Sequence, residues 1–489
     1  MRKRGFAALR GLLLAAALLP PLHAAGPDAF DKSVLTGLLL AARSAAARQP
    51  VTWPGYALFS QPVLLYREPP LAVLVGHPKP PPGFYPYPLE EFREYAVFVS
   101  TLPLPDLNAA FYQAYPLGGV QVFAYHYDQG ETPERIVSTV VHERFHVFQG
   151  SLAVEGSTPA FKAGDYTGGL SEADLTAANL ALARLERLCL ARALTGFAPP
   201  EEAARDFAAV RLERRREFGA EWAGLEDNLE RNEGLADYFT RRVLEISPAQ
   251  STAGAADLAD ALTAPEDDAY AFESMLHGRL YLTGHAIGRL LDRLGAEWKA
   301  RVAGGEYPFA VLNSAVPMTG RQRQARLKRV KKEFGYAALL RRAETGLDAA
   351  QQARSGAFRD FNAYAGPRLI VRAEYTGKTK VSYTASETFS LGDRTELFVD
   401  NPLYEFVSEK ARLLVTNATL SVYRGIDERE LFEIHLASAP RVYAGGRPAA
   451  LTAGPRRLED VVIEEAGVEL KAAAALVSVS SGAVAVDIP

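Results

Sequence analysis

The sequence predicts an α+β fold in three successive parts, and three changes of pattern carry that prediction. A proline- and aromatic-rich first stretch holds short apolar runs. A long middle repeats apolar residues at helical spacing, and a final stretch turns to alternation broken by Gly, Asn and Asp. The expected boundaries are a signal peptide over 1–25, an N-terminal α/β portion with a substrate-side sheet over 26–130, a mainly helical domain over 131–365, and a C-terminal β-sandwich-like domain over 366–489. A chain of 489 residues is long enough for two or three such domains.

The elements follow in order. Arg2, Lys3, Arg4 and Arg10 precede an apolar run over 12–22, and His23-Ala24-Ala25 offers a cleavage site, which is the form of a secretory signal. That run is shorter than the ~20 residues of a membrane span, and no later run reaches that length, so no transmembrane anchor is expected. The predicted location is therefore periplasmic or extracellular. No cysteine follows the signal, which argues against a lipoprotein.

Residues 30–48 read as an amphipathic helix, and Pro78-Lys79-Pro80-Pro81-Pro82-Gly83 as a loop. Apolar runs at 63–66, 72–75, 95–99 and 120–127 read as a small sheet. Helical patterns then occupy 132–149, 171–194, 200–230 and 272–294. The signal changes at Tyr364-Ala365-Gly366-Pro367, beyond which short strands recur at 369–375, 380–385, 396–399, 412–415 and 421–423.

Composition excludes some partners. A formal charge of −4 gives no reason to expect nucleic acid. The basic run from Arg321 to Lys332 reads as a solvated helix face. Cys189 is the only cysteine, so no intrachain disulfide forms, and its helical context suits a small buried hydrophobe. His435 is isolated, and the Asn417-Ala418-Thr419 sequon is assigned no role.

The chemistry concentrates in Val140-Val141-His142-Glu143-Arg144-Phe145-His146. Thr132-Pro133-Glu134 supplies a cap, a first-position proline and a first-turn acid. Val137, Val140, Val141, Phe145 and Phe148 form the apolar stripe, and Gly150 offers a stop. On such a helix His142 and His146 project from one face and can grip one Zn²⁺, with Glu143 beside them as a base. Gln149 and Leu152 stand where a metzincin would carry Gly and His, which excludes that branch.

The pair of motifs His142-Glu143-x-x-His146 and Asn232-Glu233-Gly234-Leu235-Ala236-Asp237 resembles the thermolysin-like zincins, or gluzincins. That resemblance spans about 160 residues and implies a zincin-like catalytic domain holding one Zn²⁺ per chain. It also implies His142, His146 and Glu233 as ligands, with Asp237 and Asn232 supporting them. Asp237 would accept a hydrogen bond from a ligating histidine. The gap of 87 positions from His146 to Glu233 is far longer than in familiar members, as an inserted helical hairpin would make it. Glu172 is a rival ligand, although Ser171-Glu172 also reads as a helix cap.

Gluzincins commonly place a Tyr or His donor downstream of the glutamate helix. His277, Tyr281 and His285 share one helical face, thinned by Gly284 and Gly288. Tyr281 is the expected oxyanion donor and His285 the alternative, while a tyrosine satisfied within the core fits the same pattern. A strand upstream of the zinc helix often offers its edge to substrate in this family; 120–127 leads into that helix, sequence leaves open whether it plays that part, and His126 reads as an ordinary strand residue.

These features predict an exported zinc metallopeptidase acting on a peptide or protein substrate, with Glu143 as general base. The aminopeptidase element Gly-x-Met-Glu-Asn is absent, since Met275 and Met318 are followed by Leu276 and Thr319. The alternatives are a non-catalytic zinc-binding protein and a metal-free envelope binding or scaffold protein.

Overall fold

A computed structural model describes residues 26–49, 52–68, 70–104, 107, 112–152, 175–247, 255–264, 278–376, 379–384, 387–391, 395–401, 403–425, 429–451, 453–480 and 482–488. The signal-like segment, Glu172 and His277 lie outside them. Helices and strands both contribute large shares, so the fold is α+β. The described residues form two compact units: those of Met1–Gly168, Leu182–Pro265 and Met275–Phe334, and those of Gly169–Ala181, Glu266–Ser274 and Gly335–Pro489.

The first unit opens on α1 (Ala29–Ala47), started by a capping box in which Asp28 and Asp31 bond each other's backbone N–H. The buried Asp31 carboxylate also receives Arg67 at 2.9 Å and the Tyr127 hydroxyl at 2.7 Å, tying the helix to the sheet. That sheet comprises β1 (Val63–Arg67), β2 (Leu71–Val75), β3 (Tyr85–Pro86), β4 (Val97–Ser100), β5 (Tyr112–Leu117) and β6 (Val120–His126). Its order is β3-β4-β2-β1-β6-β5, with β1 and β6 parallel and the other pairs antiparallel.

Strand β5 escapes the sequence pattern because Pro116 and its exposed alternate residues weaken the signal. Proline is tolerated there because β5 is an edge strand. Strand β6, which leads into the helix of His142, is paired on both sides, and among the described residues β5 is the outer strand beside it.

Next come α2 (Pro133–Ser151), α3 (Ala177–Thr195), α4 (Pro200–Leu229), a five-residue π turn (Glu230–Gly234) and α5 (Leu235–Ile246). They are followed by α6 (Ala255–Thr263), α7 (Gly278–Arg293), α8 (Trp298–Ala303), α9 (Pro308–Ala315) and α10 (Gly320–Glu333). Thr132 caps α2 as expected, accepting from the Arg135 N–H. Gly150 does not stop the helix, which runs on to Ser151. None of the described helices is long and apolar enough to cross a membrane.

Two packing systems position α2 against the π turn. An aromatic core joins α2 to α5: Phe145 stacks on Phe239 at 4.2 Å, and Tyr56 and Trp53 pack edge-on around them. Trp298 meets both Trp53 and Tyr238. Such aromatic pairs contribute about 0.5–1.5 kcal/mol each beyond the area they bury.

Beneath the π turn lies a fully buried ion network. Arg211 reaches Glu186 at 2.8 Å and both oxygens of Glu230 at 2.9 Å, while the Thr283 hydroxyl donates to Glu230 at 2.6 Å. Arg214 bonds Glu186 and Glu226, and Arg279 bonds Glu226. Glu186 on α3 and Arg211 on α4 thus link the two helices that lie between the motifs.

The second unit contains α11 (Tyr336–Ala363) and a 13-stranded, branched sheet from β7 (Arg368–Glu374) to β19 (Ala483–Asp487). The long β18 (Val468–Ser480) pairs with three neighbours, which makes the branch. Alternating inward residues such as Leu369, Val371, Phe432 and Ile434 form its core. The helix stands with these strands because Phe358 and Phe361 pack on Leu397, whereas composition changes only at Tyr364. His435 lies flat between Phe361 and Tyr364 at 4.0 and 3.9 Å, a packing role that matches its isolation.

Candidate metal centre

The site is built by α2, the π turn and α7, all within the first unit. One turn apart on α2, the His142 and His146 rings lie 4.7 Å between centroids, with their Nε2 atoms 3.0 Å apart. Glu233 enters from the π turn rather than from regular α-helix, and such turns recur at functional sites. Its Oε2 lies 3.1 Å from His146 Nε2 and 3.4 Å from His142 Nε2. These are the edges of a triangle that suits a tetrahedral metal: ligands about 2.0–2.1 Å from one centre stand about 3.3 Å apart. Among the described residues, this is the group whose donors could hold a metal ion.

Backbone contact makes the convergence possible. A Cβ on Gly284 would fall 2.6 Å from the Glu230 carbonyl oxygen, and one on Gly234 would fall 2.6 Å from Gly284 Cα. Only glycine at both positions lets α7 lie directly on the turn that presents Glu233. Gly288 likewise admits the Tyr238 ring.

The electrostatics follow from burial. Burial alone would raise the Glu233 pKa, but hydrogen bonds from His142 and His146 outweigh it and hold the carboxyl well below its usual range. Burial pulls His146 down, yet the bond to Glu233 and that carboxylate's charge leave it raised. Glu143 is raised: burial dominates, against the pull of both histidines and a hydrogen bond from Tyr112.

The supporting residues differ from the expected set. Among the described residues Asp237 accepts no hydrogen bond from His142 or His146; its Oδ2 accepts from His285 Nδ1 at 2.8 Å, and Arg241 stands 3.6 Å from its other oxygen. His285 is therefore no free donor, since its Nε2 in turn accepts from Arg289 Nε at 3.1 Å and the ring is buried. Asn232 contributes its backbone carbonyl, which accepts from Gln149. Its side-chain oxygen has no partner among the described residues.

Tyr281 does reach the site, with its ring parallel to His142 at 6.0 Å and its hydroxyl bonded to Glu233. Two contributors were not singled out from sequence. Tyr112, on edge strand β5, stacks on Phe123 and bonds Glu143. Gln149, one turn past His146, meets that ring's Nδ1 at 2.8 Å. Helical spacing could have found Gln149; nothing local marks Tyr112.

Compared with family models, with curated proteins and with solved structures, this chain matches none. The functional reading therefore rests on the geometry of the site.

Proposed function

We propose that this chain is an exported, zinc-dependent hydrolase of gluzincin type that cleaves peptide bonds. The observation that supports it most is the meeting of two imidazole nitrogens and one carboxylate oxygen within 3.0–3.4 Å, with Glu143 alongside. A purely structural zinc site has no use for a carboxylate next to its ligand. When bound by His142, His146 and Glu233, Zn²⁺ would bring a water to a pKa of about 7 and polarise the scissile carbonyl.

The chain's own residues do the rest. Glu143, its carboxyl raised by burial, accepts the proton of the attacking water and returns it to the leaving amine. Tyr112 orients that carboxylate through its hydroxyl. Tyr281 donates to the oxygen that gathers charge in the transition state, a role worth about 2.7–4 kcal/mol for comparable donors. The free edge of β5 pairs with an extended substrate backbone, main chain to main chain. The C-terminal strands form a β-sandwich-like packing or substrate-presenting module, and the arginine-rich start of the chain directs export.

Zinc analysis of purified protein and hydrolysis of a quenched peptide library test this reading together. Glu143→Gln is expected to retain stoichiometric zinc and lose about 10²–10⁴-fold in kcat/KM. Equal hydrolysis by both proteins sinks the mechanism. Zinc without hydrolysis by the wild type favours the non-catalytic metal protein, and no zinc after reconstitution favours the metal-free one.

A further inference from the structure

We infer that Gln149 is the positioning residue of this site: it sets the tautomer of His146 and braces that ring against the turn carrying Glu233. The inference rests on the proposed metal site and adds to it a residue that neither motif contains.

Donors and acceptors around the Gln149 amide fix its orientation. Gln149 is buried, and its side-chain amide makes three contacts. Its Nε2 donates to the Arg231 carbonyl at 3.0 Å and to the Asn232 carbonyl at 3.1 Å. Its Oε1 faces His146 Nδ1 at 2.8 Å. Carbonyl oxygens only accept, so the NH₂ end must face them; a flipped amide would set its oxygen against two others. The oxygen that remains can only accept, and Nδ1 must therefore carry the proton.

With Nδ1 protonated, Nε2 is the nitrogen turned toward His142 and Glu233, and its lone pair is the one open to a metal when the ring is neutral. That is the form a metal ligand requires. Because Arg231 and Asn232 immediately precede Glu233, one side chain ties a ligand on α2 to the backbone that delivers the third ligand. The amide holds both halves of the site in register, and Asn232 takes part through its backbone carbonyl.

Competition between apoprotein and a fluorescent chelator for Zn²⁺ measures the effect, and ¹⁵N spectra of metal-free, histidine-labelled protein read the tautomer. Gln149→Met keeps the volume and removes all three hydrogen bonds; it is expected to weaken zinc binding about 10–100-fold. The His146 ring of this variant should also lose its Nδ1–H preference. Gln149→Glu retains an acceptor at Nδ1 and should keep the wild-type tautomer, which a merely space-filling residue would not do.

Wild-type zinc affinity in Gln149→Met overturns the inference. So does a neutral His146 ring in the wild-type apoprotein that carries its proton on Nε2 rather than Nδ1, a result that needs no variant to fold. A wild type that binds no zinc instead defeats the metal site itself, and the tautomer spectrum then still reports on Gln149 separately.

Discussion

Replacing Gly284 with alanine tests whether backbone contact between α7 and the π turn sets the position of Glu233. The added methyl would stand 2.6 Å from the Glu230 carbonyl oxygen, 2.8 Å from Gly234 Cα and 2.9 Å from Glu230 Cα. Ordinary contacts for such a carbon begin near 3.4 Å, so helix and turn must part by roughly 0.8 Å. Backbone lines both sides of the contact, and no flexible side chain can yield instead.

Two opposed effects then act on stability. Alanine is favoured over glycine in a helix interior by about 0.8–1.0 kcal/mol. Overpacking costs about 1–3 kcal/mol, so the net loss is about 0–2 kcal/mol. The larger effect falls on the metal, because ligand distances tolerate only about 0.2 Å. Zinc affinity should drop by tenfold or more while urea unfolding of the apoprotein changes little. Apoprotein stabilised by about 1 kcal/mol with unchanged zinc affinity would mean that propensity alone decides, and the close-contact argument would be wrong.

Other outcomes follow from the same geometry. Tyr281→Phe should keep zinc and lower kcat by about 10²–10³-fold with little change in KM; unchanged kcat would assign the tyrosine to packing alone. Arg211→Met leaves Glu230 and Glu186 buried without a shared cation, and should cost about 3–5 kcal/mol in chemical denaturation. A smaller loss than about 1 kcal/mol would show that the ion network does not hold the turn. Burial pushes Asp31 upward, but Arg67 and Tyr127 more than offset it and keep its carboxyl below the ordinary range. Its contribution is therefore full above about pH 4 and is lost as pH falls through the lower folded-state value. The stability gap between wild type and Asp31→Asn should accordingly shrink on acidification below pH 4, and a gap that widens there would contradict the assignment.

Local pattern made several elements legible. The capped start of α2, its apolar stripe and the pairing of His142 with His146 all depend on residues within one or two turns. Helical periodicity carries that information directly. The alternating strands beyond β7 are legible for the same reason, since an inward residue at every second position records which face is buried. Strand β5 is less so, because an edge strand with Pro116 need not alternate cleanly.

Glu233 was reachable only through its motif, and the pairing of the acids and amides that surround the three side chains was not reachable at all. Whether Asp237 meets a ligating ring or His285 depends on how α7 crosses the turn. That crossing is set by Gly234 and Gly284, far apart in sequence and touching in space. The same holds for the contact of Tyr112 with Glu143, and for the bonds from Gln149 to Arg231 and Asn232, although helical spacing alone puts Gln149 beside His146.

Sequence by itself thus determined which side chains could bind a divalent metal and which carboxylate could move a proton, because both follow from residue type and helical spacing. Tertiary structure alone decided which side chain faces each ring nitrogen, which acid bonds which ring, and how closely the three donor atoms approach. Hydrogen bonds and close packing are short-ranged, and they act between residues that the chain brings together only once it has folded.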